Sequence, residues 1–221
     1  MASTGRRPRP KGMVIVYACS TTVQANRESI DPGVVHIRDE VLPALQRMDG
    51  CVGLSMLVDR DSCCCIATSS WESKAAMRLA AAPVWVIRDR AVEILGGTAL
   101  VEEWEILAMH RDHPSRPGAS ARANWLRMDP AAIDRAVDVY KMASIPAMKE
   151  LDGFCSASLL VDRVSGRAVS TATYDSRQAM QRNREQADAV RSAGSLETGA
   201  QVLQVCEFDL ALAHLRVPEM A

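Results

Sequence analysis

The sequence predicts an α+β protein made of two copies of one small domain, each with the element order β-α-β-β-α-β. The first observation behind this prediction is a duplication. Residues 43–77 align with residues 146–180 without a gap at an offset of 103, and 14 of the 35 aligned positions are identical. Residues 102–110 then pair with residues 206–214 at an offset of 104. A period near one hundred residues is too long for a solenoid and fits one domain encoded twice.

The second observation is the pattern of apolar residues and turn formers within each copy. Short apolar runs with the length of a strand alternate with stretches whose apolar residues recur every three or four positions, as is typical of helices. Pro43 and Pro146 interrupt the first helix of each copy and should kink it. Ser73 and Ser176 are expected to cap the second helices, which Gly96 and Gly194 should end. The predicted strands are residues 13–19, 54–58, 64–70 and 101–110 in the first copy and 121–128, 157–161, 168–173 and 200–214 in the second.

These elements divide the 221-residue chain into four parts. Residues 1–12 form a basic arm that is predicted to be disordered, and residues 13–110 form the first repeat. Residues 111–120 are rich in turn formers and nearly free of large apolar side chains, so they are the predicted linker. Residues 121–215 form the second repeat.

Composition excludes several classes of function. A net charge of −1 argues against a nucleic-acid-binding surface over the whole molecule, and no apolar run reaches the length of a membrane span. The seven cysteines are an odd number, and Cys63, Cys64 and Cys65 are adjacent, so the chain is not a disulfide scaffold and we expect a reducing cytoplasm. The Cys63–Cys65 run has no partners at zinc spacing, and neither a metal nor a cofactor is predicted. No Ser-His-Asp order, phosphate loop or dinucleotide-binding glycine motif occurs.

Each hairpin is followed by an aromatic residue, an acidic residue and a serine, as Trp71-Glu72-Ser73 and as Tyr174-Asp175-Ser176. With the element order, this string resembles the antibiotic-biosynthesis-monooxygenase domains of the dimeric α+β barrel superfamily, here in tandem. The resemblance implies two four-stranded antiparallel sheets that meet in one closed, pseudo-dimeric barrel with helices outside. Two such barrels could associate further. Family members that degrade haem carry a Trp and a His at places that correspond to Ala80 and Arg90, or to Asn183 and Ala193, so haem degradation is not predicted.

The duplication also helps to separate structural from functional residues. Trp71 and Tyr174 occupy matching positions, which favours core packing but also allows them to form a pocket wall. Tyr17 and Asn124 occur in only one copy each, on first strands whose inner faces line the ligand cavity in proteins that this sequence resembles. A phenol and an amide there could hydrogen-bond a quinol oxygen and stabilise a phenolate. The predicted pocket residues are therefore Tyr17, Trp71, Asn124 and Tyr174.

Two hypotheses for function follow. In the first, the barrel binds a small, largely apolar aromatic ligand, and it is a cofactor-independent monooxygenase for phenolic or quinol-like substrates if it is an enzyme. In the second, it is a non-catalytic interaction or stress-related protein that retains the fold for assembly. The second hypothesis predicts a cavity closed by Met, Leu and Val side chains, with no polar group that points inward.

Overall fold

The computed structural model describes residues 15–220, in which each repeat has the order strand, helix pair, two strands, helix pair, strand. The predicted arm at residues 1–12 lies outside the described residues. The strands are β1 (Val16–Gln24), β2 (Cys51–Asp59), β3 (Cys64–Trp71), β4 (Ala99–Arg111), β5 (Ser120–Arg127), β6 (Phe154–Asp162), β7 (Arg167–Tyr174) and β8 (Gln201–Leu215). The helices are α1 (Ile30–His36), α2 (Leu42–Gln46), α3 (Lys74–Leu79), α4 (Ala81–Leu95), α5 (Ile133–Val139), α6 (Ile145–Lys149), α7 (Arg177–Arg182) and α8 (Arg184–Thr198).

All eight strands join in one closed antiparallel barrel, in the order β1-β3-β2-β8-β5-β7-β6-β4. Within each repeat the last strand pairs with the first, and the hairpin continues the sheet. The two repeats meet at two equivalent seams, because β4 also pairs with β6 and β8 also pairs with β2. Closure removes the free sheet edges that would invite pairing with other chains. The predicted fold of two ferredoxin-like repeats in a pseudo-dimeric barrel is confirmed.

The two prolines interrupt the first helix of each repeat by means of a widened turn. Residues Ile37–Val41 and Tyr140–Ser144 form π turns, and each is followed directly by the short helix that carries Pro43 or Pro146 in its first turn. Proline lacks an N–H, and its ring crowds the carbonyl group four residues earlier. A π turn at that point accommodates the crowding.

Both predicted serine caps are present. The Ser73 hydroxyl accepts a hydrogen bond from the Ala76 N–H at 3.1 Å, and Ser176 does the same for Ala179 at 3.1 Å. The prediction that Gly194 ends a helix is wrong, because α8 continues to Thr198 and the left-handed residue is Gly199, with φ of 71°. The strand predicted over residues 13–19 also extends further, as β1 reaches Gln24.

Alternating residues of each strand point to two different environments. The outer face of the barrel packs under the helices, where Leu54, Met56 and Trp71 are buried in the first repeat. The inner face lines the barrel, and there the Trp104 indole N–H donates to the Ser20 hydroxyl at 2.8 Å while Phe208 packs beside Ile66. A functional side chain therefore either lies between helices and sheet or faces the interior of the barrel.

All seven cysteines lie in the described part of the chain, and they are free thiols there. No helix within residues 15–220 combines the length and the apolar character needed to cross a membrane.

Two glycines with a left-handed backbone provide a test of strain: Gly166, in the turn between β6 and β7, and Gly199, directly after α8. Gly166 has φ of 70°, and a Cβ added there would overlap the carbonyl oxygen of Met128. Gly199 has nearly the same φ, 71°, but nothing lies within 4 Å of its added Cβ. We expect Gly199→Ala to lower the free energy of unfolding by about 1–2 kcal/mol, the cost of a left-handed non-glycine residue. Gly166→Ala should cost about 3 kcal/mol or more, because the steric overlap adds to the strain. Urea denaturation of both variants measures the difference, and equal losses would contradict it.

Candidate functional site: a cavity in the second repeat

Each repeat encloses a small cavity between its helices and the outer face of its sheet. The cavity of the second repeat lies among β5, β7, α5 and α8 and measures about 80 Å³. The cavity of the first repeat lies in the matching place and measures about 60 Å³. Apolar side chains form most of both walls, so the polar groups in them mark where the two repeats differ.

The strand geometry places the polar groups of the second cavity on one face. Arg122 and Asn124 are two positions apart on β5, so their side chains lie on the same face of the sheet, which points toward the helices. Tyr174 ends β7 on the same face, and Arg191 reaches the cavity from α8. Tyr140 belongs to the π turn, so the widened turn places an aromatic residue in the cavity wall.

Arg122 is a buried cation that is paired with a carboxylate but keeps one guanidinium nitrogen without a hydrogen-bond partner in the described residues. Its side chain is 4% exposed, and its Nη2 and Nε atoms lie 2.8 Å and 3.2 Å from Oε1 of Glu207, its partner across the β5–β8 ladder. Nη2 also donates to the carbonyl oxygen of Met180 at 3.4 Å. Nη1 lies 3.9 Å from Asp188 and has no hydrogen-bond partner among residues 15–220. Buried guanidinium donors are normally all paired, so this N–H is available to a ligand.

Tyr174 carries a second free donor. Its side chain is fully buried, and its hydroxyl has no hydrogen-bond partner in the described part of the chain. Burial raises the pKa of the Tyr174 phenol, so the group is neutral and can donate at physiological pH. Tyr140 differs in that its hydroxyl already donates to the Ser158 carbonyl oxygen at 3.0 Å, while burial also raises its pKa.

The remaining polar groups form a fixed network beside these two donors. The Asn124 amide donates to the Ser170 hydroxyl at 3.1 Å. Arg191 lies 2.7 Å from Asp188 and 3.5 Å from the Asn124 side-chain oxygen. The network holds Asp188 3.9 Å from Arg122, although Asp188 is not itself among the residues that line the cavity.

The first repeat lacks nearly all of this chemistry. The 103-residue offset relates each polar residue of the second cavity to its counterpart in the first. Cys19 replaces Arg122, Thr21 replaces Asn124, Ile37 replaces Tyr140, Ala67 replaces Ser170 and Trp71 replaces Tyr174. Arg88 is the exception, since it matches Arg191, and its Nη2 contacts the Cys19 sulfur at 3.5 Å. Because the fold forms without these polar groups in one repeat, their presence in the other needs a different explanation.

Proteins of closely similar sequence share the whole length of the chain. It is 56% identical to the uncharacterised protein Rv2557 of Mycobacterium tuberculosis strain H37Rv over 219 residues, which are 99% of this chain and 98% of that protein. It is 53% identical to Rv2558 of the same strain, over 99% of this chain and 93% of that protein. The chain belongs to the family of these two mycobacterial proteins. No model of a described protein family matches it.

Solved structures show that the family has the fold of antibiotic-biosynthesis-monooxygenase relatives. A candidate monooxygenase from Fusobacterium nucleatum superposes with a TM-score of 0.69 at 9% identity, over 92% of this chain and 95% of that one. An anthrone oxidase-like protein gives 0.65 at 13% identity, over 92% and 93% of the two chains. A ferredoxin-fold protein from Listeria monocytogenes, related to antibiotic biosynthesis monooxygenases, gives 0.51 at 9% identity, over 88% and 94%. At these identities the likeness concerns the fold, here with both repeats in one chain.

The four predicted pocket residues form two pairs in separate repeats of this family member. Asn124 and Tyr174 line the second cavity. Tyr17 and Trp71 are directly opposite each other on β1 and β3, and neither lines the first cavity. Trp71 is 1% exposed, and its indole N–H donates to Ser69 at 3.1 Å. These contacts place Trp71 in the core of the first repeat.

Sequence reasoning missed Arg122, Tyr140 and Arg191 as wall residues. Arg122 lies two positions before Asn124 on the same predicted strand, and its counterpart Cys19 is uncharged. A charged residue in one copy of a buried strand was therefore the signal that could have identified it. Tyr140 falls on the apolar stripe of a helix, where an aromatic residue usually indicates core packing.

Proposed function

We propose that the second-repeat cavity binds a small, largely apolar aromatic ligand whose oxygen accepts hydrogen bonds from Arg122 and Tyr174. The observation that carries this proposal is the pair of buried donors, Arg122 Nη1 and the Tyr174 hydroxyl, without partners among residues 15–220. Leaving a buried donor unpaired costs about 1–3 kcal/mol each. A ligand oxygen that accepts from both recovers this energy, and the apolar wall buries the ring.

The kind of donor narrows the ligand class. A guanidinium N–H only donates, so the ligand must present an acceptor such as a carbonyl or phenolate oxygen. The positive charge of Arg122 favours the ionised form of a weak acid, and a neutral phenol such as Tyr174 hydrogen-bonds the same oxygen. Phenols and quinols with one polar edge and an apolar body meet both requirements.

The size of the cavity also limits the ligand. A cavity of roughly 150 Å³ holds benzene, whereas this one measures about 80 Å³. A one-ring ligand therefore requires a small outward movement of the helices. α8 is suited to such a movement, because none of its residues is fully buried, whereas α4 in the first repeat buries Ala91 and Leu95.

We infer further that the bound phenol reacts with dioxygen without a cofactor. The phenol loses its proton, the phenolate transfers an electron to dioxygen, and the two radicals combine at a ring carbon. Loss of water from the resulting peroxide gives a quinone, so one phenol and one dioxygen yield one quinone and one water. Arg122 and Tyr174 would stabilise the phenolate. We assign Asp188, which lies 3.9 Å from Arg122 Nη1 and is paired with Arg191 at 2.7 Å, as the proton acceptor.

The rival hypothesis of a non-catalytic assembly protein agrees better with the side chains that line the cavity of the first repeat. Ile37, Val41, Leu45, Leu54 and Met56 line the first cavity, in agreement with an apolar filling. In the second repeat, Arg122 and Tyr174 point into the cavity between helices and sheet, and these polar groups favour the ligand hypothesis for that repeat. The proposal therefore assigns binding to the second repeat and a structural role to the first.

A panel of hydroquinones and monocyclic phenols tests binding and oxygenation separately. Under nitrogen, calorimetric titration should detect one site per chain for at least one member of the panel. Tyr174→Phe should weaken that binding by about tenfold, the loss of one hydrogen bond, and should leave stability unchanged or higher, because the hydroxyl that it removes is unpaired. Tyr17→Phe in the first repeat is the matched control and should bind normally.

Under air, an oxygen electrode measures turnover of the ligands that bind. Oxygen uptake that Asp188→Asn suppresses supports the oxygenase step. Binding without uptake across the panel would remove that step and retain the binding site. No binding under nitrogen, or equal binding by wild type and Tyr174→Phe, would contradict the proposed function itself.

A further inference from the structure

His113, Cys155 and Asp175 come together where β6 and β7 meet the segment between β4 and β5. His113 Nε2 lies 3.1 Å from Asp175 Oδ1, and the Cys155 sulfur lies 3.5 Å from the same oxygen. All three donor atoms are within 4.8 Å of one another. The cluster contains none of the residues assigned to the ligand cavity.

The backbone holds this cluster in place. The N–H groups of Asp112 and His113 donate to the Cys155 carbonyl oxygen at 2.8 Å and 3.3 Å, so the connecting segment is tied to β6. The Asp175 N–H donates to the Gly153 carbonyl oxygen at 2.8 Å. Cys155 occupies a β-bulge, since the β6–β7 register shifts between Phe154 and Ser156. A bulge redirects a side chain, and bulges are frequent beside functional sites.

The distances suit a tetrahedral metal ion. Zinc bonds of about 2.0–2.2 Å to nitrogen and oxygen and about 2.3 Å to sulfur place neighbouring donor atoms roughly 3.3–3.6 Å apart. The observed separations of 3.1 Å and 3.5 Å are close to these values. A set of one imidazole, one thiolate and one carboxylate favours zinc over magnesium or calcium, because those ions avoid sulfur ligands.

The surroundings of the cluster also match those of a metal site. A ligating histidine usually donates its second ring N–H to a carboxylate, which fixes the ring. Here His113 Nδ1 lies 3.3 Å from Asp112 Oδ2, which leaves Nε2 for the ion. His113 and Ser115 also line the interior cavity of the barrel, of about 320 Å³, so a fourth ligand has space to approach.

The repeat comparison indicates that the fold does not require these residues. At the 103-residue offset Cys155 corresponds to Val52 and Asp175 to Glu72, although the bulge itself recurs between Cys51 and Gly53. A cysteine–histidine catalytic pair is excluded by geometry. Both ring nitrogens of His113 face carboxylates rather than the sulfur.

We propose that His113 Nε2, Cys155 Sγ and Asp175 Oδ1 bind one zinc ion, with the fourth position open to water or a small ligand. Three protein ligands and an open position are the arrangement of a catalytic rather than a structural zinc site. Asp112 orients the histidine from outside the ligand set.

Cobalt(II) titration of the full, metal-free and reduced chain tests this site. We expect one equivalent to bind, with thiolate-to-cobalt charge-transfer absorption in the near ultraviolet and visible bands typical of a tetrahedral ion, and zinc should displace it. Asp112→Asn should weaken binding roughly 10–100-fold and retain the spectrum. Cys155→Ser should remove the charge-transfer band, whereas the matched control Cys206→Ser should keep it.

His113→Gln provides a second variant, because it changes a partly exposed residue of the connecting segment and should fold even if Cys155→Ser does not. Its cobalt affinity should fall by more than that of Asp112→Asn. Absence of the charge-transfer band in the wild type would overturn the proposal. So would a band that survives in both Cys155→Ser and His113→Gln, since the thiolate would then come from another cysteine. Neither result would affect the ligand site at Arg122 and Tyr174.

Discussion

Replacing Arg122 with methionine is expected to lower ligand affinity by roughly 10–150-fold, which corresponds to the 1.5–3 kcal/mol of a hydrogen bond to a charged group. The same variant should keep or raise the free energy of unfolding. Methionine fills a similar volume without a charge, and such exchanges of buried ion pairs are often neutral or stabilising. Glu207 retains Arg184 at 2.8 Å, and Cys19 shows that the first repeat folds with an uncharged residue at this position.

The complementary variant, Glu207→Ala, removes the carboxylate and keeps the buried positive charge of Arg122. Glu207→Ala leaves Arg122, with a side chain 4% exposed, beside only Asp188 at 3.9 Å. We expect a loss of about 3 kcal/mol in the free energy of unfolding, because an uncompensated buried charge remains. Urea denaturation and calorimetric ligand titration of both variants measure these effects. If Arg122→Met were as unstable as Glu207→Ala, Arg122 would serve the fold and the proposed binding role would lose its support.

Trp71→Ala is expected to lower the free energy of unfolding by about 3–5 kcal/mol, the range for removing a large aromatic side chain from a core. Trp71 is 1% exposed and packs with Leu54 and Met56 under the helices of the first repeat. The variant also leaves the Ser69 hydroxyl without its indole donor. Chemical denaturation at constant pH measures the loss.

Trp85 is the matched control, because it is the same residue type but 63% exposed on α4. Trp85→Ala should change stability by no more than about 0.5 kcal/mol. Ligand affinity at the second cavity should be the same in both variants under conditions where they are folded. A loss below about 1 kcal/mol for Trp71→Ala would contradict its assignment to the core.

The repeat made most of the fold predictable from the sequence. Ser73 and Ser176 were identified as caps because each lies between a strand and a helix at the same place in its own copy. Gly194 misled the prediction, because a glycine inside a helix resembles a stop signal when its neighbours are unknown. Its Cβ position lies 3.4 Å from the Ser144 hydroxyl, a contact that only the folded chain reveals.

The functional groups were harder to predict, for reasons that differ from site to site. Asn124 and Tyr174 were predicted as pocket residues from the comparison of the two copies and from the family resemblance, and both line the second cavity. Arg122 was not, because its burial depends on Glu207, which pairs with it from a strand 85 residues away. The His113–Asp175 contact spans 62 residues and depends on a bulge that aims Cys155 out of the regular alternation. The periodicity of the sequence does not indicate where such a bulge occurs.

The seam between β2 and β8 has a consequence for how the chain folds during synthesis. Leu54 pairs with His214, so this half of the barrel closure joins residues that are far apart along the chain. Contacts of such long range form slowly, because loop closure must precede them. A nascent chain that already contains the whole first repeat still exposes the β2 edge until the ribosome has released β8. During that interval the edge is open to pairing with a second nascent chain, and rapid completion of the second repeat is what protects it.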